Sequence, residues 1–124
     1  MNKAIISVGS NIDPIQNIEA AEQILRQEQE FVTKSAFVKT LPQGFTAQAE
    51  FVNGAFFIKT ECEFQELKDY LKDVESRLGR VRTHNKNGPR TIDLDVVVFN
   101  GEVLDEDFHK YDFVRDAVLE IMEE

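Results

Sequence analysis

Two periods of apolar spacing alternate along the chain. Residues 3–8 (KAIISV) are nearly all apolar and β-branched, as in a strand covered on both faces. Gly9, Ser10 and Asn11 read as a tight turn that ends it. Asp13 and Pro14 suit an N-cap and first helical turn, after which Ile15, Ile18, Ala21, Ile24 and Leu25 share one helical face. Phe31 to Thr40 is rich in β-branched and aromatic residues and predicts a second strand. Residues 41–50 (LPQGFTAQAE) form a loop, long for a hairpin, and Phe51 to Thr60 a further long strand. Phe64, Leu67, Leu71, Val74 and Leu78 recur in steps of three and four, predicting an amphipathic helix that stops at Gly79. Thr91 to Phe99 is strand-like, Asn100-Gly101 is a hairpin turn, and Glu102 to Leu104 a short return strand. Asp112 suits an N-cap for a last helix striped by Phe113, Val114, Ala117, Val118 and Ile121.

The order β-α-β-β-α-β with a terminal helix predicts an α+β fold of the ferredoxin-like plan: an antiparallel sheet with helices packed on one face, plus the C-terminal helix. The 124 residues suit a single domain, 1–124, that buries about two-thirds of its surface without a disulfide or metal staple. Cys62 is the only cysteine, and the short apolar run after Lys3 does not resemble a signal peptide. No apolar stretch reaches membrane-spanning length, so a cytoplasmic protein without a membrane partner is expected.

Charge changes this picture in one place. The formal net charge is −9, which opposes generic binding to nucleic acid or anionic membranes. Yet residues 77–90 (RLGRVRTHNKNGPR) contain Arg77, Arg80, Arg82, Lys86, Arg90 and His84 and no acid. A basic run by itself is usually a solvated loop. This one leads into a strand in which Ile92, Leu94, Val96 and Val98 alternate with Asp93 and Asp95. Alternation turns the apolar residues toward the helices and sets both carboxylates side by side on the other face. Neighbouring carboxylates repel unless cations neutralise them, and Mg2+ favours carboxylate oxygen and bridges to phosphates. Two aspartates on a strand edge are ordinary; combined with arginines at Arg80, Arg82 and Arg90, they form a set suited to nucleotide phosphates.

A second constellation lies on the strand 51–60, where Phe51 and Asn53 share a face. A ring can stack on a flat heterocycle and a carboxamide can read its donor and acceptor edge; a core Phe beside a satisfied Asn is the plainer alternative. The loop from Thr40 through Pro42 to Gly44 leads into this strand. The isolated His84 and His109 suit surface positions, and Cys62 has no nearby base.

Four ordered segments carry a resemblance: Val8-Gly9-Ser10-Asn11; Thr40-x-Pro42-x-Gly44 with Phe51-x-Asn53; Glu75-x-x-Leu78-Gly79-Arg80-x-Arg82; and Gly88-Pro89-Arg90-Thr91-x-Asp93-Leu94-Asp95. Together they resemble the 6-hydroxymethyl-7,8-dihydropterin pyrophosphokinase family of folate biosynthesis, from the N-terminus to about Phe99. The resemblance implies transfer of pyrophosphate from ATP to the pterin hydroxymethyl group with release of AMP, by in-line displacement at two Mg2+ ions. It implies that Asp93 and Asp95 hold the metals, and that Arg80 and Arg90 act in nucleotide binding and catalysis. It places Glu75, Arg82 and His109 on the ATP side and Thr40, Pro42, Phe51 and Asn53 in the pterin pocket.

The chain also departs from that family. Asn87 stands where an aromatic residue usually covers the pterin, leaving Phe45 or Phe113 as substitutes. The segment Phe108 to Phe113 is short, with Tyr111 where an arginine is expected and Lys110 or Arg115 as compensation. Two other readings follow: a reduced homologue that binds nucleotide or pterin without turnover, and a ferredoxin-like module presenting its sheet to RNA. The second conflicts with the acidic charge and lacks interleaved basic and aromatic positions.

Overall fold

Strand β1 (Asn2–Ser10) is apolar on both sides because it lies inside the sheet and both faces are covered. In the computed structural model, which describes residues 1–40, 51–80, 91–105 and 112–122, β1 pairs antiparallel with β4 (Phe51–Thr60) and β5 (Asp93–Phe99). Beyond them lie β2 (Glu30–Lys34), on the far side of β4, and β6 (Glu102–Val103), on the far side of β5. The order is β2-β4-β1-β5-β6, and β3 (Val38–Thr40) also pairs with β4. This is the antiparallel α+β arrangement expected from the element order.

Helices α1 (Pro14–Glu28) and α2 (Phe64–Arg77) cover one face. Ile18, Ala21 and Leu25 of α1 and Leu67, Leu71 and Val74 of α2 are buried with Ala4, Ile6, Val8, Phe56, Ile58, Ile92 and Leu94. The other face has its own core. Val114, Ala117, Val118 and Ile121 of α3 (Asp112–Ile121) pack on Ile5, Ala55, Phe57, Val97 and Val98. The helices are therefore not confined to one face: the third closes the opposite side, because Ile5 of β1 and Ala55 and Phe57 of β4 are apolar there. None of the described helices is long and apolar enough to cross a membrane.

Several local expectations are corrected. Gly9 and Ser10 do not turn; they continue β1, opposite Asn53 and Val52 of β4. Gly9 is paired on both sides, with Asn53 and Asp93, and Ser10 with Val52 of β4, which holds them extended against their local turn preference. Phe31 to Thr40 is two strands with a break at 35–37. The break is built by Ser35, whose backbone N–H donates to Ala55 O (2.9 Å) while its Oγ accepts the Ala55 N–H (2.9 Å). Glu120 of α3 accepts the Ala36 N–H at 2.7 Å. Val98 faces α3 instead of following Leu94 and Val96: Ile6 pairs with Val96 but Ile5 with Val98, so Val97 is an inserted bulge residue that reverses the alternation. Ile15 is 70% exposed. The stripe correctly names the inward face of α1, but burial begins a turn later, at Ile18. Asp13 occupies the N-cap position in a left-handed conformation (φ 43°) without a side-chain cap, with Pro14 following in the first turn.

Other elements follow their local signals. Gly79 terminates α2 at φ 85°, and Asn100-Gly101 adopts the two positive φ angles (51° and 83°) that a two-residue hairpin requires.

Candidate active site

Antiparallel register places the chemistry-bearing residues in rows across the sheet. Val38 is opposite Asn53, Asn53 opposite Gly9, and Gly9 opposite Asp93, so β3, β4, β1 and β5 each contribute one residue to a row. The next row contains Ala55, Ser7 and Asp95. Directly opposed residues share a face. These positions lie on the face α3 packs against and away from α1 and α2; Ala55 belongs to the α3 core, while Asn53, Gly9 and Asp93 are not part of it. Asp93 and Asp95 thus stand on one face, as alternation predicts. Gly9 contributes no side chain between Asn53 and Asp93, whose strands are two spacings, about 10 Å, apart.

At the Asp93 end the local order comes from the end of α2. The Gly79 stop turns the chain so that Arg80 reaches back to the sheet. Arg80 Nη1 donates to Glu75 Oε2 (2.7 Å) and Asp93 Oδ1 (2.8 Å). The same Glu75 oxygen accepts the Leu94 N–H at 2.8 Å. Glu75 is 2% exposed, so its carboxylate is a buried strut joining α2, Arg80 and β5. The resemblance implies a nucleotide-side role for Glu75; in the structure its carboxylate is inside and holds Arg80, whose side chain is 12% exposed. Across the strand end, buried Ser10 donates from Oγ to Thr91 O at 2.6 Å, fixing the start of the β5 segment to β1.

At the other end, Asn53 Nδ2 donates to Thr40 Oγ1 at 2.6 Å. Thr40 is opposite Phe51 in register, so Thr40, Phe51 and Asn53 form one patch. The carboxamide is oriented by Thr40, leaving its remaining donor and acceptor capacity for a ligand edge. Phe113 packs against the α3 core. Pro42, Arg82, Arg90 and His109, together with Phe45, Asn87, Lys110 and Tyr111, lie outside the described residues.

Sequence reasoning thus brought together Arg80, Glu75, Asp93 and Asp95 at one end and Thr40, Phe51 and Asn53 at the other. It read Gly9 and Ser10 as a turn beside the site where they are strand within it, and did not single out Ser7. The available signal was the long partner strand Phe51–Thr60, whose ten residues need more than six from β1 to pair with.

Asp93 and Asp95 suit Mg2+, which is commonly held by one or two carboxylates with phosphate oxygens completing the shell. Among the described residues no cluster of three or more His, Cys, Asp or Glu offers an all-protein cage.

The family model described as 7,8-dihydro-6-hydroxymethylpterin-pyrophosphokinase matches residues 5–123. A 2-amino-4-hydroxy-6-hydroxymethyldihydropteridine pyrophosphokinase of Haemophilus influenzae is 33% identical, over 98% of this chain and 82% of that protein. The protein of the same name from Bacillus subtilis is 41% identical over 82% of this chain, spanning 62% of its length. The folic acid synthesis protein FOL1 of Dictyostelium discoideum is 33% identical over 95% of the chain, which spans 19% of that larger protein.

Proposed function

The chain belongs to the 7,8-dihydro-6-hydroxymethylpterin-pyrophosphokinase family, and we propose that it transfers pyrophosphate from ATP to the hydroxymethyl group of 6-hydroxymethyl-7,8-dihydropterin, releasing AMP, in folate biosynthesis. The observation that carries this reading is the row Asn53, Gly9, Asp93. It sets the Asn53 carboxamide and the Asp93 carboxylate on either side of a glycine, which supports a heterocycle at one end and a metal-bound phosphate at the other.

In this reading Thr40, Pro42, Phe51 and Asn53 take the pterin: Phe51 by stacking, Asn53 by pairing with the edge of the ring. Asp93 and Asp95 would hold two Mg2+ ions, which when bound neutralise phosphate charge and favour displacement at phosphorus. Arg80, Arg82, Arg90 and His109 bind and orient the triphosphate, with Arg80 braced from behind by Glu75. The hydroxymethyl oxygen attacks the β-phosphorus, the bond from that phosphorus to the α,β-bridging oxygen breaks, and AMP leaves. The protein forms no covalent bond to substrate, so its contribution is placement of two reactants and electrostatic stabilisation.

The test mixes the protein with ATP, Mg2+ and 6-hydroxymethyl-7,8-dihydropterin and follows AMP. AMP formed in step with pterin consumed is the expected result. A folded protein that binds both substrates but releases no AMP is the binding-only homologue, and Asn87 and Tyr111 become the positions to restore.

A further inference from the structure

We propose that Gly9 is a positioning residue for the pterin, because its missing side chain leaves the volume in which the Asn53 carboxamide is held. This rests on the reading of Asn53 as a pterin ligand. Gly9 lies in extended strand directly opposite Asn53. A Cβ built at Gly9 would lie 2.7 Å from Asn53 Oδ1, well inside contact distance. The next nearest atoms are Asn53 Cγ at 3.8 Å and Val52 O at 4.0 Å, both ordinary contacts. All three belong to β4, so the pressure falls on Asn53 and spares Asp93 on β5. Asn53 accommodates the added Cβ only by moving its carboxamide, whose Nδ2 donates to Thr40 at 2.6 Å. A side chain at position 9 therefore shifts the carboxamide relative to Thr40 and turns the edge offered to the ring.

Backbone preference works in the opposite direction. Glycine weakens a strand interior, so alanine at a site without tertiary conflict stabilises it. A glycine kept for folding alone is therefore not expected here: no positive φ is involved and the only close atom is the tip of one side chain.

The experiment compares G9A, N53A and the double variant G9A/N53A. Each is titrated with 6-hydroxymethylpterin by fluorescence in the presence of Mg2+ and α,β-methylene ATP, which cannot transfer pyrophosphate. G9A is expected to weaken pterin binding about tenfold, the loss typical of a misplaced buried hydrogen-bonding group, and to raise the pterin KM more than it lowers kcat. Affinity for α,β-methylene ATP alone stays as in the parent, and the melting temperature is unchanged or higher. In the N53A background, where no Oδ1 remains to collide, alanine at position 9 changes pterin binding by less than about twofold.

Equal loss from G9A in both backgrounds, or none in either, overturns the proposal. Pterin binding by N53A at parental affinity removes the reading of Asn53 and the proposal with it. If G9A does not fold, recovery of folding in G9A/N53A still supports the Cβ–Oδ1 conflict, and failure of both to fold overturns it.

Discussion

Asp95 and Glu75 are carboxylates with different work to do. Asp95 stands on the face of β5 opposite α2, in the row behind Asp93, where the proposed reading has it serve the phosphate and its metal. Asp95→Asn keeps the shape and would remove one of the two carboxylates assigned to the metal in the proposed function. AMP release is expected to fall to background with the urea midpoint unchanged; turnover close to that of the parent would refute the metal assignment. Glu75 is inside, and its removal has the reverse signature. Glu75→Ala leaves the buried Leu94 N–H without its acceptor and the Arg80 guanidinium without Glu75 while it keeps Asp93, and an orphaned buried donor costs about 1–3 kcal/mol. A urea titration should show that loss, together with weaker binding of ATP through a displaced Arg80. Stability equal to the parent's would mean that water replaces the carboxylate and that Glu75 is not a strut.

Between elements, packing also decides where polar groups belong. Glu22 of α1 receives Arg26 from one turn on (2.8 Å) and Lys34 from β2 (2.8 Å), tying helix to strand. Burial pushes its carboxyl up, but the hydrogen bonds and charges of Lys34 and Arg26 outweigh burial and hold it below its ordinary value of 4.5. A carboxyl depressed in the folded state contributes stability that is complete above its unfolded value and is lost as pH falls through the folded one. Glu22→Gln is therefore expected to destabilise at neutral pH and to match the parent well below pH 4.5. Urea midpoints at the two pH values check this, and a pH-independent difference would contradict it. Gly54 shows a similar constraint in the β2–β3 break: a Cβ there would enter the Phe37 ring at 2.6 Å, so the path that delivers Thr40 to Asn53 depends on a glycine in the neighbouring strand.

Over the whole molecule, the site exists because α3 covers only part of its face of the sheet. The core formed by Val114, Ala117, Val118 and Ile121 seals the end near Ile5 and reaches Ala55, and the row Asn53, Gly9 and Asp93 follows next along the strands. Val118 is fully buried there. Val118→Asp would set an unpaired charge in that core. α3 should detach, exposing Ile5, Phe57 and Val98 to a dye that reports apolar surface, with a fall in melting temperature. An unchanged melt without dye binding would mean that α3 is dispensable to the sheet.

How much of this was legible in advance depends on the range of the interaction. Local chemistry sufficed for the helices, the Asn100-Gly101 turn, the pairing of Asp93 with Asp95 on one face, and the family signature. Period, capping and turn preferences act over a few residues, and a strand's alternation is a property of its own backbone. Three things were decided only by tertiary structure. Gly9 and Ser10 became strand because β4 and β5 supplied hydrogen-bond partners from far along the chain. Val98 changed faces because the ladder with β1 required a bulge at Val97. Asn53, Gly9 and Asp93 became neighbours because antiparallel register aligned them. Segment by segment, the sequence states which residues are apolar, charged or able to bend; register is set by the joint burial of two faces, and no single segment contains that energy.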